Sequence, residues 1–268
     1  MSKKIVGEYA NPSILTIDIE TAPIEAYVWG LWDQNVGLEQ IKCEWSILAY
    51  CARWYGTKEL IYQDTGGRGS NKVRDDKKLM RDLWDLLDKA DIVVAQNGAK
   101  FDVKKINSRL VEHGFEPYSP IRVIDTLLAA KRYFGFTSNK LAWTSRHLTD
   151  VPKHDHRKFP GFELWIECLK DNPAGWAEMK KYNQRDVVAC EKLYTKLRPW
   201  IGNHPNIATY AEGHDSACPK CNEKKLQARG YSVTQAGKYP RFQCMGCGAW
   251  SRSRYSVLTK EVRKDLLA

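Results

Sequence analysis

The chain has 268 residues, 43% of them hydrophobic, with ten Trp and thirteen Tyr, so it can bury one large domain or one domain and a small module. No stretch approaches the roughly 20 apolar residues that span a bilayer, and Lys3 and Lys4 precede no apolar run of the signal-peptide kind; a soluble, cytoplasmic protein without membrane partners is expected. The net charge is +10, and residues 201–268 hold eleven Lys/Arg against five Asp/Glu, which points to a polyanionic partner or to a basic surface kept for solubility.

Along the chain, Ile14 to Ile19 reads as a period-2 strand, with Ile17 and Ile19 on one face and Asp18 and Glu20 on the other. Pro23 stops it, and residues 24–42 form a loop rich in Trp and Gly. Trp45 to Trp54 and Glu59 to Gln63 read as strands around a turn at Gly56. The TGGRGSN segment, 65–71, is expected to be a flexible loop. Leu79, Leu83, Leu86 and Leu87 give helical spacing over 76–89. Residues 91–96 make a short apolar strand ended by Asn97-Gly98, and a helix follows from Asp102 to His113, with Gly114 as its stop. Ile121 to Ile124 is a strand, with Asp125 as N-cap of a helix through Tyr133. Pro173 suits a first helical position and Pro199 ends the pattern, so one long helix over 174–198 carries Tyr182 and Asp186. The order of elements implies an α/β domain with a mixed sheet.

Four acids carry the chemistry. Asp18 and Glu20 are two apart on a strand, so both side chains leave one face, and a cation would relieve their repulsion. Taken alone the pair reads first as the end of a strand running into solvent, where acids are common. Asp102 alone reads first as a helix cap, although it follows a strand end, a usual site position in open α/β sheets. Tyr182 and Asp186 are i and i+4 on one helix face.

In order and spacing, Asp18-Ile19-Glu20-Thr21, then Asn97 through Phe101-Asp102, then Tyr182-Asn183-Gln184-Arg185-Asp186 resemble the three motifs of the DEDD superfamily of 3′–5′ exonucleases, in its tyrosine-type (DEDDy) branch. The resemblance spans about residues 11–200. It is nearest to stand-alone, often phage-encoded, enzymes related to the proofreading domain of family B DNA polymerases. Ile124-Asp125-Thr126-Leu127 and Ser138-Asn139-Lys140-Leu141 have the flavour of the same group. The resemblance implies an RNase H-like mixed sheet flanked by helices and hydrolysis of phosphodiesters with two Mg²⁺ or Mn²⁺ about 3.5–4 Å apart. By the same resemblance, Asp18, Glu20 and Asp186 hold one metal, Asp18 bridges to a second that Asp102 supports, and Tyr182 orients the attacking water. Thr21, Asn97 and Phe101 are candidates to touch the terminal nucleotide. Trp29 and Trp32, in the loop after the first strand, either stack on bases or anchor that loop in the core. Lys153, His154, His156 and Arg157 form a basic loop that either contacts phosphate or is a solvated turn.

The eight cysteines fall into two groups. Cys43, Cys51, Cys168 and Cys190 have no ligand spacing and read as reduced thiols. Cys218-Pro-Lys-Cys221 and Cys244-Met-Gly-Cys247 resemble the two knuckles of a zinc ribbon, with one structural Zn²⁺ and a β-hairpin from 226–234 and 239–243 between them. Arg229, Tyr231, Arg241, Phe242, Trp250, Arg252, Arg254 and Tyr255 mix cations with aromatics; they suit nucleic-acid contact, a small core with solvating charges, or docking of a replication or repair protein.

The expected organisation is an exonuclease domain over 1–200, a linker over 201–216, and a four-cysteine zinc ribbon with a basic tail over 217–268. The expected activity is removal of 5′-mononucleotides from 3′ ends, with single-stranded DNA preferred and a role in DNA replication or repair. With no room for a polymerase domain, any proofreading would act in trans. A phage-encoded chain would work in the host cytoplasm. RNA-directed or endonucleolytic cleavage, and a non-catalytic nucleic-acid adaptor, are the alternative functions.

Overall fold

The computed structural model describes residues 11–151, 156–210 and 216–266. The chain forms two compact units, Ser13–Lys196 and a second drawn from 1–12 and 197–268. Among the described residues no helix is long and apolar enough to cross a membrane.

The first unit is built on a five-stranded sheet. Its strands are β1 (Ile14–Thr21), β4 (Ile47–Trp54), β5 (Ile61–Asp64), β6 (Ile92–Ala95) and β7 (Arg122–Asp125), in the order β5-β4-β1-β6-β7. β1 pairs antiparallel with β4 and parallel with β6, so the sheet is mixed, as the element order implied. Period-2 alternation on β1 decides which layer each side chain meets. Leu15, Ile17 and Ile19 pack with Leu79, Met80, Leu83 and Leu87 of α1 (Lys77–Lys89) and Ile106 and Leu110 of α2 (Asp102–Glu112). Asp18 and Glu20 therefore leave the opposite face. A second core there joins Leu48 and Ala49 of β4 to Leu164 and Cys168 of α5 (Glu163–Leu169) and Trp176, Met179 and Tyr182 of α6 (Pro173–Leu197). α6 has 25 residues, about 38 Å of rod at 1.5 Å per residue.

Helix ends follow the local chemistry. Asp125 caps α3 (Thr126–Tyr133), accepting from the N–H groups of Leu127 and Leu128. Gly114, past the end of α2, takes φ +72°, where a side chain would be strained. Several short elements had no sequence signal: β2 (Glu25–Ala26) pairing with β3 (Ile41–Cys43) inside the Trp-rich loop, α4 (Leu141–Leu148) and α5. The TGGRGSN segment is tethered where a flexible loop was expected. Asp171 accepts from the N–H groups of Gly67 at 2.8 Å and Gly69 at 2.6 Å, and from Trp176 Nε1 at 2.7 Å. An acid a hundred residues away supplies that restraint, so no local pattern reveals it.

In the second unit, β8 (Leu226–Thr234), β9 (Gly237–Cys244) and β10 (Trp250–Arg252) form an antiparallel sheet in the order β10-β9-β8. A short helix, α7 (Lys260–Lys264), follows. Its core is small: Cys218, Cys244 and Ala249, with Cys221, Leu226 and Cys247 against them. Residues 201–210 belong to this unit and pack into it. Ile201, His204 and Ile207 are buried, the Ile207 N–H donates to Pro219 O at 2.9 Å, and Lys220 Nζ donates to Ile201 O at 2.5 Å.

Candidate active site and metal centre

One cavity of about 450 Å³ in the first unit is lined by Asp18, Ile19, Glu20, Gln96, Phe101, Asp102, Leu127, Lys140, Leu141, Ala142, Tyr182 and Asp186. All four acids and the tyrosine that the motifs singled out are in that lining. They come from three elements: β1 supplies Asp18 and Glu20, the start of α2 supplies Asp102, and α6 supplies Tyr182 and Asp186. Helical spacing puts Tyr182 and Asp186 one turn apart on the face of α6 that meets the sheet.

Two of the acids are held in place by contacts that short-range sequence patterns do not reveal. Asp102 opens α2 without capping it; its Oδ1 accepts the Ile19 N–H of β1 at 3.1 Å. Asn183, fully buried on α6, donates from Nδ2 to Asp18 Oδ2 at 2.5 Å and to Asp18 O at 3.2 Å. The Tyr182 ring lies edge-on to His156, with centroids 5.0 Å apart, and to Trp165 at 6.0 Å. His156, read from sequence as part of a basic loop, thus braces the tyrosine; Lys153 and His154 of that loop lie outside the described residues.

Asp125 organises the loop that leads to Asp102. Beyond its helix cap, Oδ1 accepts the Asn97 N–H at 3.1 Å and Oδ2 the Ala99 N–H at 3.2 Å. Asn97 sits at φ +65°, and a Cβ on Gly98 would fall 2.4 Å from the Ala95 Cβ, so the turn requires its glycine. Gln96 is fixed by Thr126 Oγ1, which donates to its Oε1 at 2.5 Å, while its own Nε2 donates to Asn139 O at 3.0 Å.

Burial pushes the Asp102 carboxyl up to about 7, and the Asp125 charge adds to this against the hydrogen bond from Ile19. Behind the acids the Cys190 thiol is pushed far up, first by burial and then by the charges of Asp18, Asp102 and Asp186. Three carboxylates bearing on one buried thiol form a strongly negative all-oxygen donor set, which fits a hard divalent cation. Asp18, Glu20, Asp102 and Asp186 are the residues that could hold it.

The other sequence candidates fall in different places. Phe101 lines the cavity and is exposed to solvent. Thr21 ends β1 and Asn97 shapes the loop, and neither lines the cavity. Trp29 and Trp32 are 99% and 84% exposed, so they do not anchor their loop in a core. Lys140 lines the cavity although the motifs gave it no role. Its position just before α4 comes from tertiary packing, and a lone lysine in a loop carries no signal of its own.

In the second unit the Sγ atoms of Cys218, Cys221, Cys244 and Cys247 all lie within 4.8 Å of one another. Cys218 and Cys247 are 3.7 Å apart, and Cys221 and Cys244 3.6 Å. A tetrahedron with metal–sulfur bonds of about 2.3 Å has edges of about 3.8 Å, whereas a disulfide needs about 2.05 Å. The N–H groups of Lys220 and Cys247 donate to Cys218 Sγ and Cys244 Sγ at 3.4 Å each, and Gly248 follows the second knuckle at φ +77°. These features are those of a metal-binding ribbon module with four cysteine ligands.

A family model described as RNase_H superfamily matches residues 54–198. Among solved structures, the family B DNA polymerase from the hyperthermophilic archaeon Pyrobaculum calidifontis superposes with a TM-score of 0.53 at 16% identity, covering 70% of this chain and 25% of the polymerase chain. No curated protein matches the chain at a significant level. The polymerase likeness speaks to the fold alone; the family match supports nuclease activity. The matched segment starts downstream of Asp18 and Glu20, but β1 returns them to it by pairing with β6 inside the same sheet. Because the match takes in more than half of the residues and runs through both helices that face the β1 acids, the chain belongs to the RNase H superfamily.

Proposed function

We propose that the protein is a metal-dependent 3′–5′ exonuclease that prefers single-stranded DNA and releases 5′-mononucleotides. The observation that carries this reading is the convergence of Asp18, Glu20, Asp102, Asp186 and Tyr182 on one cavity. Asp18, Glu20 and Asp186 would hold one Mg²⁺ or Mn²⁺, and Asp18 with Asp102 a second. When bound, such a pair makes water nucleophilic at neutral pH and offsets charge on the leaving oxygen. Tyr182, braced by His156 and Trp165, orients the water for attack on phosphorus. The P–O3′ bond breaks, the chain keeps its 3′ oxygen as a hydroxyl, and the released nucleotide keeps the phosphate. Phe101 offers a ring face to the terminal base, and Lys140 a cation to its phosphate. In the second unit the four thiolates would hold one structural Zn²⁺.

Pure protein incubated with 5′-labelled single-stranded DNA and matched RNA, in Mg²⁺, Mn²⁺ or EDTA, tests the reading. A metal-dependent ladder shortening from the 3′ end is expected. Asp18→Ala and Asp186→Asn should lower the rate by at least about 10³-fold while circular dichroism stays unchanged, and Tyr182→Phe should be slower without being inactive. Full activity in either acid variant would sink the assignment. Products cut internally would instead favour an endonuclease, and binding without cleavage under every metal condition a non-catalytic adaptor.

A further inference from the structure

From Lys224 to Lys260 the chain carries eight Lys/Arg and no Asp or Glu. The β8–β10 sheet lies wholly inside that stretch. Register fixes which of its side chains share a face. Arg252 of β10 is directly opposite Arg241 of β9, Trp250 is opposite Gln243, and Tyr239 is two residues from Arg241. Tyr239, Arg241, Trp250 and Arg252 therefore stand on one face. The Arg252 guanidinium lies 4.0 Å from the Tyr239 ring centroid and the Arg241 guanidinium 4.7 Å from that of Trp250. The face is thus a diagonal row of ring, cation, cation, ring. Arg241, Trp250 and Arg252 are exposed.

Two arginines directly opposite each other on a sheet repel and destabilise it. Among the described residues no carboxylate pairs with either; besides the two rings, Arg241 Nε donates to the Arg229 carbonyl at 3.0 Å, and neither contact cancels the charge. An anion between them would relieve the repulsion. Duplex DNA offers phosphates but hides the faces of its bases, whereas an unpaired strand offers both phosphates and base faces at the spacing of successive nucleotides. Guanidinium planes and aromatic rings stack on bases of any sequence. We propose that the Tyr239–Arg252–Arg241–Trp250 face is a sequence-tolerant binding platform for single-stranded nucleic acid, separate from the acid cavity. The inference deepens the nuclease reading by giving the second unit a substrate-holding role. Covalent linkage then raises the local concentration of strand at the nuclease unit.

The test uses the full chain carrying Asp186→Asn, without added Mg²⁺ or Mn²⁺ and without chelator, so that binding is read without cleavage and the four-cysteine site is left intact. Fluorescence anisotropy with a labelled oligo-dT of 20 nucleotides and with a 20-base-pair duplex is measured across a salt series. Adding Arg241→Gln and Arg252→Gln together should weaken oligo-dT binding by tenfold or more and make the log–log salt dependence shallower by about 1.4, two contacts at about 0.7 each on single strands. Trp250→Ala should weaken oligo-dT binding several-fold and leave duplex binding nearly unchanged, with Trp250→Phe keeping most of the affinity. Metal content and thermal melting check the fold of each variant. Unchanged oligo-dT affinity in these variants would overturn the proposal, as would equal losses on single strand and duplex. So would competition by poly-glutamate as effective as by unlabelled oligo-dT, which would mark an acidic protein surface as the partner. Cleavage by the unmutated enzyme is scored separately, so failure here leaves the nuclease reading standing and the reverse also holds.

Discussion

Asp102 shows how a single side chain can be costly alone and useful with a partner. An aspartate titrates near 3.9 in an unfolded chain, whereas burial moves this one to about 7. Because the folded value is the higher one, the penalty for its charge is absent below about pH 4, grows through the interval, and is complete above about pH 7. Asp102→Asn should therefore stabilise the metal-free protein at pH 8, by on the order of 2–4 kcal/mol, with the gain shrinking as pH falls toward 5. Melting curves of both proteins at several pH values in EDTA test this, and a lower melting temperature for the variant at pH 8 would refute it. Mg²⁺ should then stabilise the parent more than the variant, since a cation relieves the same charge. Asn183 acts at this scale too. Its amide fixes which Asp18 oxygen points away from α6, so Asn183→Ala should raise the Mg²⁺ concentration for half-maximal activity at least several-fold. A fall in maximal rate with an unchanged Mg²⁺ requirement would mark a purely structural role.

At the scale of elements, the layer of α1 and α2 is pinned by a charged cluster. Asp76, at the start of α1 and fully buried, accepts from Arg109 Nε and Nη2 at 2.7 Å each, from the Ile47 N–H at 2.9 Å, and lies 2.6 Å from His113 Nε2. Burial pushes its carboxyl up, but the hydrogen bonds from Arg109, Ile47 and His113 outweigh that and hold it below the ordinary aspartate range. Removing one partner of a buried ion pair leaves the other uncompensated, so Asp76→Ala should cost about 3–5 kcal/mol in urea unfolding. A loss under 1 kcal/mol would show that solvent reaches Arg109 after all. None of this was legible in the sequence, where Asp76 is one charge in a charged stretch. What was legible had strong local periodicity or punctuation: β1 by its alternation, α1 by its leucines, α3 by its aspartate cap, α6 between two prolines. The acid motifs were legible because each is short and lies on one element. The contacts that aim them were not, since Asn183 to Asp18 and Asp102 to Ile19 join residues 165 and 83 apart. The short elements β2, β3, α4 and α5 lacked enough residues for a period to emerge.

For the molecule as a whole, the two units differ in what holds them together. The first has two apolar cores on either side of a sheet. The second has a small cluster of cysteines and Ala249 with Ile201 and Ile207 buried beside it, and a module of that size needs a staple. Burial pushes the Cys218 thiol up to about 11, while at Cys244 burial is outweighed by hydrogen bonds from the Cys247 and Gly246 backbone, which hold the thiol below its usual range. A metal held by the four thiols would stand in for a core, and the 201–210 segment would depend on it through Lys220, which sits between two of the cysteines and donates to Ile201 O. Cys221→Ser or a strong chelator should release one zinc per chain by atomic absorption. The β8–β10 sheet should be lost with it, as a drop in protection of its amides from hydrogen exchange, and residues 201–210 should become open to protease. The helical circular dichroism of α1 and α6 should persist, as should Mg²⁺-dependent cleavage of an oligonucleotide too short to reach a second site. Loss of the helical signal together with the zinc would mean that the first unit's cores are not self-sufficient. Retention of amide protection in the zinc-free ribbon would mean that its few apolar contacts and hairpin hydrogen bonds suffice without the staple.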